Sequence, residues 1–527
     1  MTARWVVAAD RARLAKDGRA VVRIEGKQIA LFDTPQGIFA CNNRCPHEGY
    51  PLREGTLDDQ CRLTCNWHNW KFDLRTGDNA FGGDRLRTYP VELRGDQVWV
   101  DIAELPFEKR RAELMHNLRE AFNDNEYDRM AREIARLRLI GADPLDAVRA
   151  AIDWSWDRFE FGWTHAYAGT ADWLQLYDER GNDPETQLIC LIEAVGHIAD
   201  DTLREPAFPY SNAVRPWDEK AFIAAVDVED EEATIATLNG ALKENLPWSS
   251  LERTFATAAL SHYNGFGHSI IYVTKVEPLL RRLGDSVKAP LLRSLAREFV
   301  YTTREEYLPE FRSYGTALAN WGQGGNGRTL SGGDLAGLNA AKAMALVSAH
   351  GKEPPLQLYM AVLGMSAYAL LHFDLAIMNR TDGPIADNAS WLDVTHGITF
   401  SNAVRTTCTK YPELWPQALL QVALQAGRNA GFLDAQIERS DWAVRNPEAF
   451  FDKSVEALFD HGREEFIVSV HLIKTLLATR EEHRAGVAGG PASPILEGVN
   501  RFLNSPLKLK HARRVARQAI EFVALDG

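Results

Sequence analysis

Cys45-Pro-His47 and Cys65-Asn-Trp-His68 put two thiols and two imidazoles into a pair of short segments, with seventeen residues between His47 and Cys65. Thiolate and imidazole together bind zinc or an iron–sulfur cluster. Zinc sites generally separate the ligands of a pair by two or more residues, and Cys-x-His is tighter. A [2Fe–2S] cluster of mixed ligation takes two sulfurs on one iron and two imidazoles on the other. Two segments that each offer one sulfur and one nitrogen supply that set, so Cys45, His47, Cys65 and His68 are the expected ligands. Cys41 and Cys61 each precede a ligand cysteine by four residues and are expected to be buried thiols.

The flanking residues carry a resemblance. Arg44-Cys-Pro-His-Glu-Gly-Tyr-Pro-Leu-Arg-Glu-Gly55 and Leu63-Thr-Cys-Asn-Trp-His-Asn-Trp-Lys-Phe-Asp-Leu-Arg-Thr-Gly77 resemble the Rieske domains of ring-hydroxylating oxygenases, over nearly all of residues 4–102. The resemblance implies a Rieske-type [2Fe–2S] cluster. Asn66 and Asn69 stand where that family usually has Pro and Gly, which leaves the ligands untouched. High-potential Rieske proteins of respiratory complexes carry an extra cysteine three residues after the first histidine ligand. Here that residue is Tyr50, so the lower-potential, oxygenase-like form is expected.

Twelve of the fourteen histidines lie outside this motif. Di-iron bundles use paired Glu-x-x-His motifs, and Glu113-Leu-Met-His116 stands alone. His372-Phe-Asp374 matches His-x-Asp, but residues two apart on a helix face different ways. Four sites have more telling neighbours: Gly162-Trp-Thr-His165-Ala-Tyr167, Gly265-Phe-Gly-His268-Ser-Ile-Ile-Tyr272, Val394-Thr-His396-Gly-Ile-Thr399 and Val470-His471-Leu-Ile-Lys474. Each sets a histidine among apolar or small residues at helical spacing. Phe466 to Ile473 is apolar apart from Ser469 and His471, so a buried helix is expected, with His471 and Lys474 on one face. A charged lysine there needs a carboxylate partner, a depressed pKa, or carbamylation by CO2, which makes it an oxygen ligand. His461 and His511 stand in charged surroundings and are expected to be exposed.

The elements that must hold these residues change character near Asp101. From residue 4 to 102 the text is short strands and turns: Ala20–Phe32 reads as two strands joined at Glu25-Gly26, Gly37–Ala40 as another, and Gln97–Ile102 as a closing strand. Leu105 opens a helical stretch that breaks at Gly141-Ala-Asp-Pro144, and helical text follows to Gly527 without two-residue alternation or a fixed repeat. The expected organisation is multidomain: a small antiparallel β domain (1–104), a helical linker (105–145) and a large, mainly α-helical domain (146–527). The mixed α+β catalytic domain usual behind such a Rieske domain, with its Asp-x-x-His-x4-His motif, is not found. Gly322-Gln-Gly-Gly-Asn-Gly327 matches G-x-G-x-x-G formally, but no strand precedes it and no helix opens after it, so a loop is expected rather than a dinucleotide site.

With 527 residues, 45% apolar and 25% charged, the composition is that of a soluble globular protein. No apolar run is long enough to span a membrane, and the N-terminus lacks the apolar stretch of a secretory signal. A formal net charge of −13 argues against nucleic acid or anionic lipid as partners. Six cysteines do not make a disulfide framework, and a cytoplasmic protein is expected.

The three segments around His268, His396 and His471 resemble the questin oxidase-like family, sparsely, over roughly residues 150–480. That resemblance implies a non-haem iron oxygenase with a multi-histidine site and a modified lysine. Carried over by motif, the ligands of a mononuclear Fe(II) would be His165, His268, His396, His471 and Lys474, with His262 competing with His268. Lys474 and His471 are the pair expected to take part in catalysis. The combined expectation is an oxygenase whose [2Fe–2S] cluster passes electrons to this iron, where O2 meets a small organic, cyclic or polyketide-like substrate in hydroxylation or oxidative ring cleavage. Without a reductase motif the electron donor is a separate ferredoxin or flavin reductase, and a homo-oligomer is compatible with the sequence. The alternative is an electron-transfer or redox-sensing protein whose helical domain docks partners or assembles an oligomer.

Overall fold

The computed structural model describes the chain outside residues 1–2, 182, 203–204, 326, 386–387, 489–493, 508–510 and 525–527. It divides into two compact units, Met1–Ala147 and Val148–Gly527.

The first unit opens with strand β1 (Trp5–Asp10), helix α1 (Arg11–Asp17), β2 (Arg19–Ile24), β3 (Lys27–Thr34) and β4 (Gly37–Asn42). The turn at Glu25 and Gly26 joins β2 to β3 as the sequence led one to expect. Strands β5 (Thr56–Leu57), β6 (Arg62–Thr64), β7 (Lys71–Asp73), β8 (Asn79–Phe81), β9 (Thr88–Tyr89), β10 (Val91–Arg94) and β11 (Gln97–Asp101) follow. They form three antiparallel sheets, ordered β1-β11-β10, β2-β3-β4-β9 and β5-β6-β7-β8. Ile29, Ala30, Leu31 and Phe32 of β3 are all fully buried, because the strand lies between two cores. Ala30 and Phe32 join Cys41, Cys45, Leu63 and Phe72 on one side, and Ile29 and Leu31 join Leu14, Val98 and Val100 on the other. That two-sided burial accounts for the unbroken apolar run.

Helices α2 (Phe107–Asn123) and α3 (Tyr127–Leu139) complete this unit. The segment expected as a helical linker (105–145) falls within this unit. Arg129 of α3, nearly fully buried, reaches Asp84 in the loop after β8 at 2.5 Å.

After Asp101 no strand occurs among the described residues. The second unit is helical, and four of its helices matter for the site: α4 (His165–Glu179), α5 (His268–Leu283), α6 (Trp391–Lys410) and α7 (Phe466–Arg484). Helix α7 is buried from Val468 through Arg480, matching the expected buried run. Helix α6 starts at a capping box in which Ser390 and Asp393 satisfy each other's backbone N–H groups. Glu482 on α7, fully buried, accepts hydrogen bonds from Asn402 and Arg405 of α6 at 2.7 and 2.8 Å and from the Tyr359 hydroxyl at 2.7 Å. These bonds fix the two helices to one another and to the helix Pro355–Leu371. Gly322, Gln323, Gly324 and Gly325 form a loop after the helix Tyr314–Ala319, so the formal dinucleotide match is a loop. No helix among the described residues is long and apolar enough to cross a membrane.

Candidate metal centres

The two ligand segments of the first unit are built alike. In one, the Cys45 amide donates to Tyr50 O and the Gly49 amide to Cys45 O, both at 2.9 Å; in the other, Cys65 N donates to Trp70 O at 2.7 Å and Asn69 N to Cys65 O at 2.9 Å. Gly49 and Asn69 occupy equivalent left-handed positions, at φ 81° and 63°. Asparagine is the side chain that tolerates this conformation best after glycine, which explains how Asn69 replaces the family's glycine. Asn66 replaces its proline with two hydrogen bonds at 2.9 Å, one from the Thr56 hydroxyl and one to Glu54 O.

These loops sink the cysteines and raise the histidines. Cys45 and Cys65 are buried in the sheet core, while the His47 and His68 rings stand 4.6 Å apart at the rim, at 81° to each other. The Trp70 ring stacks on His47 at 4.6 Å and Trp67 on His68 at 4.9 Å. Gly82 makes room for Trp70, since a Cβ there would lie 2.5 Å from the indole. Both Nε2 atoms face outward, 3.9 and 4.0 Å from the Glu48 carboxylate. The inward Nδ1 of His47 is buried with no hydrogen-bond partner among the described residues. Burial lowers the His47 pKa against the opposing pull of Glu48, which favours the neutral ring. Two buried sulfurs beside two imidazoles, one with its Nδ1 buried and unpartnered among the described residues, fit the donor set of a [2Fe–2S] cluster of mixed ligation. Cys41 and Cys61 are buried thiols as expected. Cys41 lies on β4, opposite Ala30 of β3, where burial pushes its pKa up.

In the second unit the structure brings His165, His268 and His396 together with their ring nitrogens within 4.8 Å of one another. His268 and His165 approach through Nε2 at 3.1 Å, and His396 and His268 at 2.7 Å. His471 joins them, its ring centroid 4.9 Å from His165 and 5.0 Å from His396. Lys474 Nζ lies 3.4 Å from His396 Nε2. His262 does not join them: it is held by Glu306 and, at 2.9 Å, by Asp227.

Each helix places its histidine by a distinct local device. Thr164 caps α4 so that His165 is its first residue. His268 opens α5 after a tight turn in which Gly265, Phe266 and Gly267 all have positive φ. A Cβ at Gly267 would strike the Phe400 ring at 2.6 Å. The second nitrogen of three rings is spoken for by backbone. His396 Nδ1 donates to Leu392 O and His471 Nδ1 to Ile467 O, each at 2.7 Å, and His268 Nδ1 donates to Gly265 O.

This pattern dictates tautomers. A neutral imidazole that donates at Nδ1 carries a lone pair at Nε2, so His268 and His396 point two acceptors at each other across 2.7 Å. His471 Nε2 is buried without a partner among the described residues. Burial and the nearby Lys474 push His165, His396 and His471 well below the usual histidine range and His268 down to about 3. Lone pairs crowded in this way repel unless a cation lies among them, and imidazole nitrogen suits iron, copper, nickel or zinc. Desolvation lowers Lys474 to about 7, with Asp172 pulling the other way. Asp172 is itself bound by Lys275 at 2.6 Å. Lys474 thus has no carboxylate salt-bridge partner among the described residues, and desolvation depresses its pKa.

Several residues around this centre were not legible as site residues. Tyr272 packs its ring 5.7 Å from His268 and 6.3 Å from His165. Glu298, buried and raised to about 8 by desolvation, accepts from Ser269 at 2.9 Å beside the His268 turn. His461, expected to be exposed, is largely buried and pairs with Glu193 at 3.2 Å, an acid far away in the sequence. His511 is partly buried rather than open to solvent. His372 and Asp374 lie in a break between two helices, where His372 contacts Asp434 O at 3.0 Å and Asp374 caps the next helix. His116 is exposed and lies 3.5 Å from Glu120.

A small antiparallel β unit with two sulfurs inside and two imidazoles at its rim has the form of an iron–sulfur electron-transfer domain. Residues 4–89 match the Rieske [2Fe-2S] domain. The ferredoxin component of the naphthalene 1,2-dioxygenase system of Pseudomonas aeruginosa is 29% identical over 105 residues, 20% of this chain and 100% of that protein. The 3-phenylpropionate/cinnamic acid dioxygenase ferredoxin subunit of Escherichia coli (strain K12) is 36% identical over 78 residues, 14% of this chain and 74% of that protein. Among solved structures, the ferredoxin of carbazole 1,9a-dioxygenase from Nocardioides aromaticivorans IC177 shares 22% identity and covers 19% of this chain and 98% of its own, with a TM-score of 0.18. Through its N-terminal unit the chain belongs to the Rieske [2Fe–2S] family, and such a domain implies a [2Fe–2S] cluster.

Proposed function

We propose that this protein is a Rieske-dependent non-haem iron oxygenase. Cys45, His47, Cys65 and His68 hold the [2Fe–2S] cluster, and His165, His268, His396, His471 and Lys474 hold a mononuclear iron, in the manner of the questin oxidase-like family. A separate ferredoxin or flavin reductase donates the electrons, and O2 acts on a small cyclic or polyketide-like organic substrate. The observation that carries the reading is the convergence of Nε2 lone pairs whose tautomers are locked from behind. The cluster supplies one-electron transfer and the iron supplies O2 activation when each is bound.

The chain's own residues prepare that second centre. The carbonyls of Gly265, Leu392 and Ile467 hold three imidazoles neutral and aimed, much as outer-shell partners do in metal sites generally. Four neutral imidazoles leave a buried dication uncompensated, which is costly. A neutral Lys474 amine can add CO2, forming an N–C bond and releasing one proton, and the resulting carbamate supplies a negative oxygen donor. Two cysteines on the cluster and four left as thiols, with no disulfide among the six, suit the reducing cytoplasm.

A second reading, a Rieske electron carrier with a helical docking module, draws on the curated relatives being ferredoxins. Iron stoichiometry separates the two. Anaerobically purified oxygenase carries about three irons and two sulfides per chain, the carrier two and two. Replacing His268, His396 or His471 with Ala is expected to remove about one iron and spare the cluster's EPR signal, and His116→Ala to remove none. Lys474→Met should lose the third iron, with partial recovery in Lys474→Glu. Two irons in fully loaded wild type, unchanged in the three variants, refutes the oxygenase.

A further inference from the structure

The first unit contains a buried charge network that cluster binding alone does not require. Asp84 is almost fully buried and is shared between Arg129, at 2.5 Å, and Arg136, at 3.0 Å. Arg129 also pairs with Glu120 of α2 and with Glu126 at the start of α3, each at 3.0 Å. Gly83 admits this guanidinium, because a Cβ there would lie 2.6 Å from its central carbon. Arg136 turns one nitrogen to Asp84 and to Glu133, and the other to the carbonyl of Pro46 at 3.3 Å. Pro46 lies between Cys45 and His47, so one guanidinium joins the cluster loop to a carboxyl on α3.

That carboxyl is unusual. Glu133 is 0% exposed, and its second oxygen has no hydrogen-bond partner among the described residues. The charges that face it are Arg129 and Arg136 from its own helix and Asp84 from the loop after β8; Glu120 of α2 and Glu126 pair with Arg129. Desolvation, reinforced by Asp84, raises its pKa to about 7 against the pull of Arg136.

We propose that Glu133, acting through Arg136, is a positioning residue for the cluster's charge: when the cluster accepts one electron, Glu133 accepts one proton from solvent. The electron reduces one ferric ion of the cluster to ferrous, and the proton converts the Glu133 carboxylate to a carboxylic acid. No bond to the cluster forms or breaks. While Glu133 is charged it shares the Arg136 guanidinium with Asp84. Once Glu133 is neutral, more of that positive charge acts at the Pro46 carbonyl and favours the reduced cluster. Added negative charge at the cluster in turn favours protonation nearby, which is the same coupling seen from the other side. The proposal concerns only the Rieske unit and stands whether or not the second unit binds iron.

The test is the cluster's reduction potential in the full-length, cluster-loaded protein, from pH 6 to 8.5. Wild type is expected to fall with rising pH, approaching about 59 mV per unit, the one-electron equivalent of a tenfold change. Glu133→Gln should be flat over that range and sit at the wild-type acid limb, because glutamine mimics the neutral acid. Glu120→Gln, on the exposed side of the network, should keep the slope. A flat wild type overturns the proposal, and so does a slope that survives in Glu133→Gln, which would assign the proton to His47 or His68. Should Glu133→Gln lose its cluster, redox-induced infrared difference spectra of wild type decide. The carbonyl stretch of a new protonated carboxyl must appear on reduction by dithionite, and its absence overturns the proposal.

Discussion

Four residues of the first unit were legible because their chemistry is local. Each loop closes on itself with the same pair of backbone hydrogen bonds, so spacing along the chain translates directly into geometry. Cys45→Ser or His68→Ala is therefore expected to abolish the reduced-cluster EPR signal while the helical circular dichroism of the second unit persists. Cys41→Ser and Cys61→Ser should keep the signal, since neither lies in the two closed loops: Cys41 is on β4 and the Cys61 sulfur meets the Thr34 hydroxyl at 3.6 Å. A normal rhombic spectrum in either of the first two variants would show that the ligands were misassigned. The second centre was only half legible. Its histidines come from positions as far apart as 165 and 471, and the choice of His268 over His262 depends on Asp227 and Glu306, which only long-range packing brings to His262.

Elements rather than residues decide whether that centre assembles. Helices α6 and α7 carry His396, His471 and Lys474, and Glu482 ties them through Asn402, Arg405 and Tyr359. Glu482→Gln leaves the Arg405 charge held only by Glu481, at 2.9 Å. Removing one partner of a buried pair costs roughly 3–5 kcal/mol, and the remaining Glu481 contact brings the expectation to about 2–3 kcal/mol. Thermal unfolding of the second unit should shift down by that amount while the cluster EPR signal stays. An unchanged melting curve would mean that the helices are fixed by apolar packing alone. Helical periodicity predicted α7 and its burial, but it carried no sign of Glu482 as a tie. The mistaken exposure of His461 has the same origin: local charge pattern reads the neighbours along the chain and misses Glu193 across the fold.

For the whole molecule, the consequence of so many buried neutral bases is a dependence of stability on pH. In metal-free protein the four site histidines have folded pKa values below the unfolded value of about 6.5, so the unfolded chain takes up protons first as pH falls. Their contribution is fully present above that value and is lost below it. Lys474, at about 7 folded against 10.5 unfolded, also binds protons preferentially in the unfolded state, so its cost fades as pH climbs from 7 towards 10.5. The chelated protein in CO2-free buffer should thus melt progressively higher from pH 5.5 to 9, and the iron-loaded protein should keep at least that slope, because metal-bound imidazoles take up no proton either. A chelated protein with a level melting temperature across that range would contradict neutral, buried imidazoles. At this scale the sequence announced the change from β to α near Asp101. It did not announce that α2 and α3 belong with the sheets, because Asp84, Arg129 and Arg136 meet only after folding.

The backbone carbonyls behind His268, His396 and His471 bear on how this site can change over generations. Outer-shell partners of metal-binding histidines are often carboxylates, and single substitutions there weaken a site by stages. Here the partners of His396 and His471 are main-chain oxygens of Leu392 and Ile467, one turn back on the ligand's own helix. Any residue that keeps the helix keeps the oxygen. Loss of the arrangement is then expected at the histidine itself or through a residue that breaks the turn, not through the identity of the residue that lends the oxygen.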